Sequence, residues 1–160
     1  MKKINITTSA TVFKNVSELS IDDKILMEKA VEARKNAYAP YSKFSVGVAL
    51  LLENNQIILG NNQESAAYPS GMCAERVAIW KASSDFPNVK VLKLAITASS
   101  SNRKVTEPVG PCGACRQTLS EYEIKQKVSI EILFMGEIGQ VVKTASLLSL
   151  LPFSFDSSYL

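Results

Sequence analysis

The sequence predicts an α/β fold: a three-layer α/β/α sandwich on a mixed, about five-stranded sheet. Three observations carry this expectation. The predicted elements run α-β-β-α-β-α-β-(β)-α along the 160 residues. The first two strands are joined by a short turn and pair antiparallel, whereas helical crossovers feed the later strands in parallel. A chain of 160 residues, 46% hydrophobic and 21% charged, suits one domain, 1–160, with a real core rather than two small ones.

Residues 1–20 alternate only loosely, as in Val12-Phe13-Lys14-Asn15-Val16, and read as an N-terminal arm or short edge strands. Ser20 is then a predicted N-cap, with Asp22 and Asp23 in the first turn where the helix dipole favours anions. Ile21, Ile25, Leu26, Ala30, Ala33 and Ala37 repeat at helical spacing, and Pro40 places the end of that helix near Ala39. Phe44 to Leu52 reads as a strand whose Gly47 admits another backbone closely. Glu53-Asn54-Asn55 turns the chain, and residues 56–60 return as the second arm of a hairpin. Asn61 to Met72 is a polar, turn-rich loop. Cys73 to Ser83 forms the second helix, ended by Asp85-Phe86-Pro87.

Val89 to Thr97 is apolar and β-branched, a central strand, and Ala98 to Val109 is a polar loop. Pro111 opens a third helix over Cys112 to Tyr122. Val128 to Phe134 alternates as a strand. Gly136 and Gly139 turn the chain so that Val141-Val142 pairs back, and Ser146 caps a short apolar helix, Leu147 to Leu151, which Pro152 stops. The tail Phe153-Ser154-Phe155 is aromatic where a chain end is usually polar.

The totals exclude several classes. A net charge of +3 with scattered lysines and arginines argues against a nucleic-acid surface. Met1-Lys2-Lys3 is followed by no apolar run, so secretion is not expected, and no segment is long enough to span a bilayer. Three cysteines cannot all pair within one chain; in a cytoplasmic protein, the expected location, a Cys-x-x-Cys reads as metal-binding or redox.

The cysteines are Cys73, Cys112 and Cys115, and the chain has no histidine. Three thiolates can hold zinc and leave its fourth position open, as a catalytic site requires. Both clusters fall at predicted helix starts, where free amides and the dipole lower thiol pKa. Glu75 lies close enough to Cys73 to work on a water in the open position. Three thiolates also make zinc a poorer Lewis acid, and Arg76 and Arg116, each directly after a cluster, are candidates to donate hydrogen bonds to sulfur. Taken alone, the Cys-x-x-Cys also suits a redox dithiol, and the trio a closed structural zinc with an acid as fourth ligand. The combination Cys-x-Glu with Pro-Cys-x-x-Cys favours a catalytic centre.

Four islands extend that pattern: Tyr41-Ser42-Lys43-Phe44-Ser45-Val46-Gly47, Asn62-Gln63-Glu64, Cys73-Ala74-Glu75-Arg76 and Pro111-Cys112-Gly113-Ala114-Cys115-Arg116-Gln117. In this order they make the chain, from about Tyr38 to Phe155, resemble the cytidine deaminases, in their small, homotetrameric, all-cysteine zinc class. The resemblance implies zinc, one per subunit, on Cys73, Cys112 and Cys115, with Glu75 shuttling protons. It implies hydrolysis of cytidine and deoxycytidine to uridine and deoxyuridine with release of ammonia, a step of pyrimidine salvage. Asn62 and Glu64 match the residues that bind ribose hydroxyls, Phe44 an aromatic against the base, and Tyr68 a tyrosine of the site loop. Ala74 would hold the base edge through its backbone, and Phe155 matches a C-terminal aromatic reaching the pyrimidine, often across a subunit boundary. The implied partners are a free pyrimidine nucleoside and three further copies of the chain. Ser65 stands where the family usually has another Asn, and Phe153 where a small residue is common. Other readings are a deaminase of a different aminated base, a non-catalytic zinc module and an enzyme acting on polynucleotide cytosines.

Overall fold

Ser20 caps the first helix as its position predicts, its hydroxyl accepting the Asp23 amide at 3.2 Å. In the computed structural model, which describes all 160 residues, this helix is α1 (Ile21–Arg34). It ends well short of Ala39. Tyr38 leaves the helix to pair with the loop instead: its amide donates to the Asn62 carbonyl at 3.0 Å, and the Glu64 amide donates to its carbonyl at 2.9 Å. Backbone groups that would have closed another helical turn are spent there.

The remaining elements are β1 (Thr11–Phe13), β2 (Phe44–Leu52), β3 (Ile57–Asn61), α2 (Ala74–Asp85), β4 (Val91–Ser100), α3 (Gly113–Gln126), β5 (Glu131–Met135) and β6 (Val141–Thr144). The predicted short helix after Ser146 is a 3-10 turn, Leu147–Leu150, with the Ser146 hydroxyl accepting the Leu148 amide. The sheet has six strands, in the order β1-β6-β5-β4-β2-β3, one more than expected. The extra strand belongs to the arm: Thr11, Val12 and Phe13 pair antiparallel with Lys143, Val142 and Val141.

Only β4 and β5 are adjacent and parallel. β2 lies antiparallel to both β3 and β4, so β3, β4 and β5 all run in one direction. The two crossovers, β3-α2-β4 and β4-α3-β5, step the same way across the sheet. Right-handed crossovers that step the same way put their helices on the same face. Both helices therefore start at the same edge of the sheet.

Alternation along the strands sorts the core into two sides. Val48, Leu50, Leu94, Ile96 and Ile132 pack with Ala78, Ile79 and Leu119 of α2 and α3. Ala49, Ala95 and Leu133 pack with Leu26, Met27 and Ala30 of α1. The three layers are thus α1, the sheet, and α2 with α3. Two glycines set the close approach of the helices. A Cβ on Gly47 would stand 2.2 Å from the Ala30 carbonyl oxygen, and one on Gly60 2.5 Å from that of Ala74. Gly60 thereby brings the first turn of α2 down onto β3.

Asp23 does more than face a dipole. It is 3% exposed and pairs with Lys93 at 2.7 Å and Lys143 at 2.8 Å, while Lys143 also meets Glu131 at 2.6 Å. This ion cluster pins the start of α1 to β4, β5 and β6.

Candidate metal centre and active site

Cys73 and Cys112 are the N-cap residues of α2 and α3, both with extended backbone and neither using its side chain as a cap. Cys115 lies within the first turn of α3. The topology that aligns the two helix starts brings the three sulfurs within 4.8 Å of one another, with Cys112 and Cys115 Sγ 3.5 Å apart. Tetrahedral zinc with Zn–S bonds of about 2.3 Å requires sulfurs about 3.8 Å apart, so the trio fits the ion with only small side-chain movement.

The electrostatics suit a cation. Hydrogen bonding from Cys115, against the opposing effect of burial and helped by Arg76, pulls the Cys73 thiol down to about 5. Cys115 is pushed up, because it gives that hydrogen bond and is buried beside Glu75. The sulfurs thus share protons that a bound metal displaces. Arg76 donates to Cys73 Sγ at 3.4 Å, and its guanidinium carbon lies 6.0 Å from the Trp80 ring centroid. It is in no ion pair with a carboxylate, and its buried Nε has no partner, so its charge remains directed at the sulfurs.

Glu75 is 5% exposed. Burial pushes its carboxyl above the usual carboxylate range, and the negative charge on Cys73 adds to that push. A carboxyl raised in this way is suited to both taking and giving a proton near neutral pH. Ala74, fully buried, is seated against Gly60.

Cys73 and Arg76 form one end of a cleft of about 440 Å³ walled also by Tyr41, Ser42, Asn62, Glu64 and Tyr68. The Asn62 side chain is already engaged: Oδ1 accepts the Val46 amide at 2.8 Å and Nδ2 donates to the Phe44 carbonyl at 2.9 Å. An amide group has two donors and two acceptor sites, so one of each is left for a ligand. Glu64 accepts the amides of Tyr41 at 2.9 Å and Ser42 at 3.2 Å, and the Ser42 hydroxyl. These bonds, led by the hydroxyl, hold its carboxyl below the usual range and leave one of about four acceptor sites. Ser42 was not among the sequence candidates. It lies between Tyr41 and Lys43 in the sequence, but only its spatial neighbour Glu64 reveals its use.

Phe44, half-buried at the start of β2, and Phe155 do not line this cleft. Phe155 is 58% exposed and stacks on Tyr159, centroids 5.5 Å apart. Arg116 departs from expectation. Its Nε donates to the Pro111 carbonyl at 2.8 Å and its Nη1 to the Leu150 carbonyl at 3.0 Å, rather than to sulfur. From the second turn of α3 the side chain runs back past the helix start, where two carbonyls compete successfully for it. A second cavity, of about 260 Å³, lies at the far ends of α2 and α3 and has no thiol or acid in its walls.

Three sulfurs at paired helix starts beside a buried acid, with Cys73 at one end of an open cleft, suit a hydrolytic zinc centre. Comparison with known proteins narrows this. A family described as cytidine and deoxycytidylate deaminase zinc-binding region matches residues 20–131. A cytidine deaminase of Halalkalibacterium halodurans is 37% identical over 86% of this chain and 96% of its own length. One of Sporosarcina psychrophila is 46% identical over 64% of this chain and 71% of its own. The crystal structure of a cytidine deaminase from Burkholderia pseudomallei superposes with a TM-score of 0.72 at 34% identity, covering 86% of this chain and all of that one. The chain belongs to the cytidine deaminase family. Its cofactor is zinc, one per chain, and the cysteine trio is a group that could hold it.

Proposed function

We propose that the chain hydrolyses cytidine and deoxycytidine to uridine and deoxyuridine with release of ammonia, as a step in pyrimidine salvage. The observation that carries this is the buried Glu75 carboxyl next to Cys115 and Cys73, in a cluster of three sulfurs of which Cys73 reaches the end of the cleft. Cys73, Cys112 and Cys115 hold the ion. Zinc in such a site supplies Lewis acidity, which lowers the pKa of water. Glu75 takes the proton of the water that adds to C4, delivers it to N3, and carries a second proton to the departing amino group. Arg76 offsets the electron density of the thiolates through Cys73. The backbone at Ala74 holds the base edge.

The remaining hydrogen-bond capacity of Asn62 and Glu64 favours a free sugar. One spare acceptor site on a carboxylate suits a hydroxyl and repels a phosphodiester. Tyr68, in the loop at the cleft mouth and 77% exposed, closes over the nucleoside. The exposed Phe153, Phe155 and Tyr159 of the tail support assembly into a homotetramer in which Phe155 reaches a neighbour's pyrimidine. Three thiolates at one centre need a reducing compartment, which supports a cytoplasmic location. No helix is long and apolar enough to cross a membrane.

Loss of the cytidine absorbance band on incubation with zinc-loaded protein is the direct test. Glu75→Gln should keep one zinc per chain and the fold while turnover falls by about 10²–10⁴. Full activity in that variant, or no reaction with cytidine or deoxycytidine in a panel of aminated nucleosides, would sink the proposal.

A further inference from the structure

We infer that Arg116 is a positioning residue that ties the metal-ligand loop to the C-terminal segment. Its two bonds go to carbonyls of unlike origin. Pro111, which accepts from Nε at 2.8 Å, directly precedes Cys112; Leu150, which accepts from Nη1 at 3.0 Å, ends the 3-10 turn that leads into the tail. A guanidinium presents these donors in a rigid planar fork, so the two carbonyls are held at one separation. A cation this near a helix start gains nothing from the dipole, so its position calls for another source of stabilisation, which the two carbonyls provide.

Neighbouring bonds make the segment a docked strap. Gln117, next in sequence, donates from Nε2 to the Phe155 carbonyl at 2.9 Å. Glu123, two turns further along α3, accepts the amides of Leu147 at 2.9 Å and Leu148 at 3.2 Å. From the arm, the Thr8 hydroxyl donates to the Ser149 carbonyl at 2.8 Å. The face of α3 that starts at the metal ligands therefore also sets the course of residues 147–155. Arg116 is the one side chain among these that touches both the ligand loop and the strap. Displacement of the strap would move Phe155, and slack at Pro111 would loosen Cys112.

The consequence for catalysis rests on the deaminase reading above, in which Phe155 packs on the pyrimidine; the mechanical tie does not. Arg116→Lys keeps the charge and loses the planar fork. In the zinc-loaded protein it should speed hydrogen exchange of the bonded amides in residues 147–151, among them Leu151, which donates to the Leu148 carbonyl at 3.1 Å, by about tenfold, the scale of one lost charged hydrogen bond. Exchange in α1 should not change. Zinc should leave faster to a chelator, and KM for cytidine should rise by about tenfold more than kcat falls. In a Phe155→Ala background, Arg116→Lys should add little to KM. Unchanged exchange at 147–151 overturns the tie, whatever the activity. Equal, independent losses in both backgrounds overturn the route through Phe155. A lower Tm with neither KM nor exchange altered reduces Arg116 to general packing and overturns the inference. If the tie holds by exchange but Phe155→Ala leaves KM unchanged, the failure belongs to the role given to Phe155.

Discussion

Replacing Glu123 by Gln and by Leu separates two ways of losing a buried carboxylate. Glu123 is 5% exposed, and four donors converge on it. The Ile130 amide at 2.7 Å and the Leu147 amide at 2.9 Å reach Oε2; the Leu148 amide at 3.2 Å and the Ser146 hydroxyl reach Oε1. Gln retains one oxygen, which can face Ile130 and Leu147. Its amino group then meets Ser146, whose hydroxyl can turn to accept, and the Leu148 amide keeps its second acceptor, Ser146 Oγ, at 3.1 Å. The loss is one shared bond and the charge assistance of the others, about 1–2 kcal/mol. Leu leaves the Ile130 and Leu147 amides buried with no acceptor, about 2–6 kcal/mol for the pair. At about 2–4 °C per kcal/mol for a chain of this size, Gln lowers Tm by about 2–8 °C, and Leu lowers it about twofold to threefold more. The assay is thermal unfolding of the zinc-loaded protein at one protein concentration, checked by denaturant titration. A Leu variant no less stable than the Gln variant would refute the count of satisfied donors.

Gly47→Ala drives a methyl into the Ala30 carbonyl and the Arg34 amide, both under 2.5 Å away. Since backbone cannot swing aside, it should cost about 3 kcal/mol, the upper part of the overpacking range; an unchanged urea midpoint would contradict the close approach of α1. Asp23→Asn should cost about 2–3 kcal/mol at pH 7, because Lys93 and Lys143 lose a buried partner. Burial pushes the Asp23 carboxyl up, but the two lysines outweigh it and hold the group below the usual range. Its stabilisation is therefore complete above about pH 4 and disappears as pH falls through the lowered folded value. The stability gap between wild type and variant should close on acidification, and a gap constant with pH would refute the assignment.

What was legible in the chain was what local chemistry decides. Ser20 and Ser146 cap where a hydroxyl beside free amides should, and Cys73 and Cys112 stand at helix starts because the apolar spacing begins just after them. A glycine at position 47 within a strand marks a point of close approach, and α1 is there. Less legible was whatever depends on distant partners. The three residues of β1 find β6 from the opposite end of the chain, so a five-strand count was the natural reading. Asp23 looked like a dipole partner because Lys93 and Lys143 are far away in sequence. Arg116 looked like a sulfur ligand's neighbour because Pro111 and Leu150 offer it backbone carbonyls, which leave no trace in residue type. The parallel direction of β3, β4 and β5 was readable from the crossovers; that β2 would lie between two of them was not.

The arm has an effect on how molecules meet one another at high concentration. Without it, β6 would present a four-residue row of open amides and carbonyls, a template onto which a stray strand could add. With Thr11–Phe13 laid against it, that margin is only three residues long and runs directly into Lys14 and Asn15. So brief a ledge, ended by a charge and a turn, gives a foreign strand little to grip, and at this edge of the sheet a few ordered residues stand against edge-to-edge pairing between molecules.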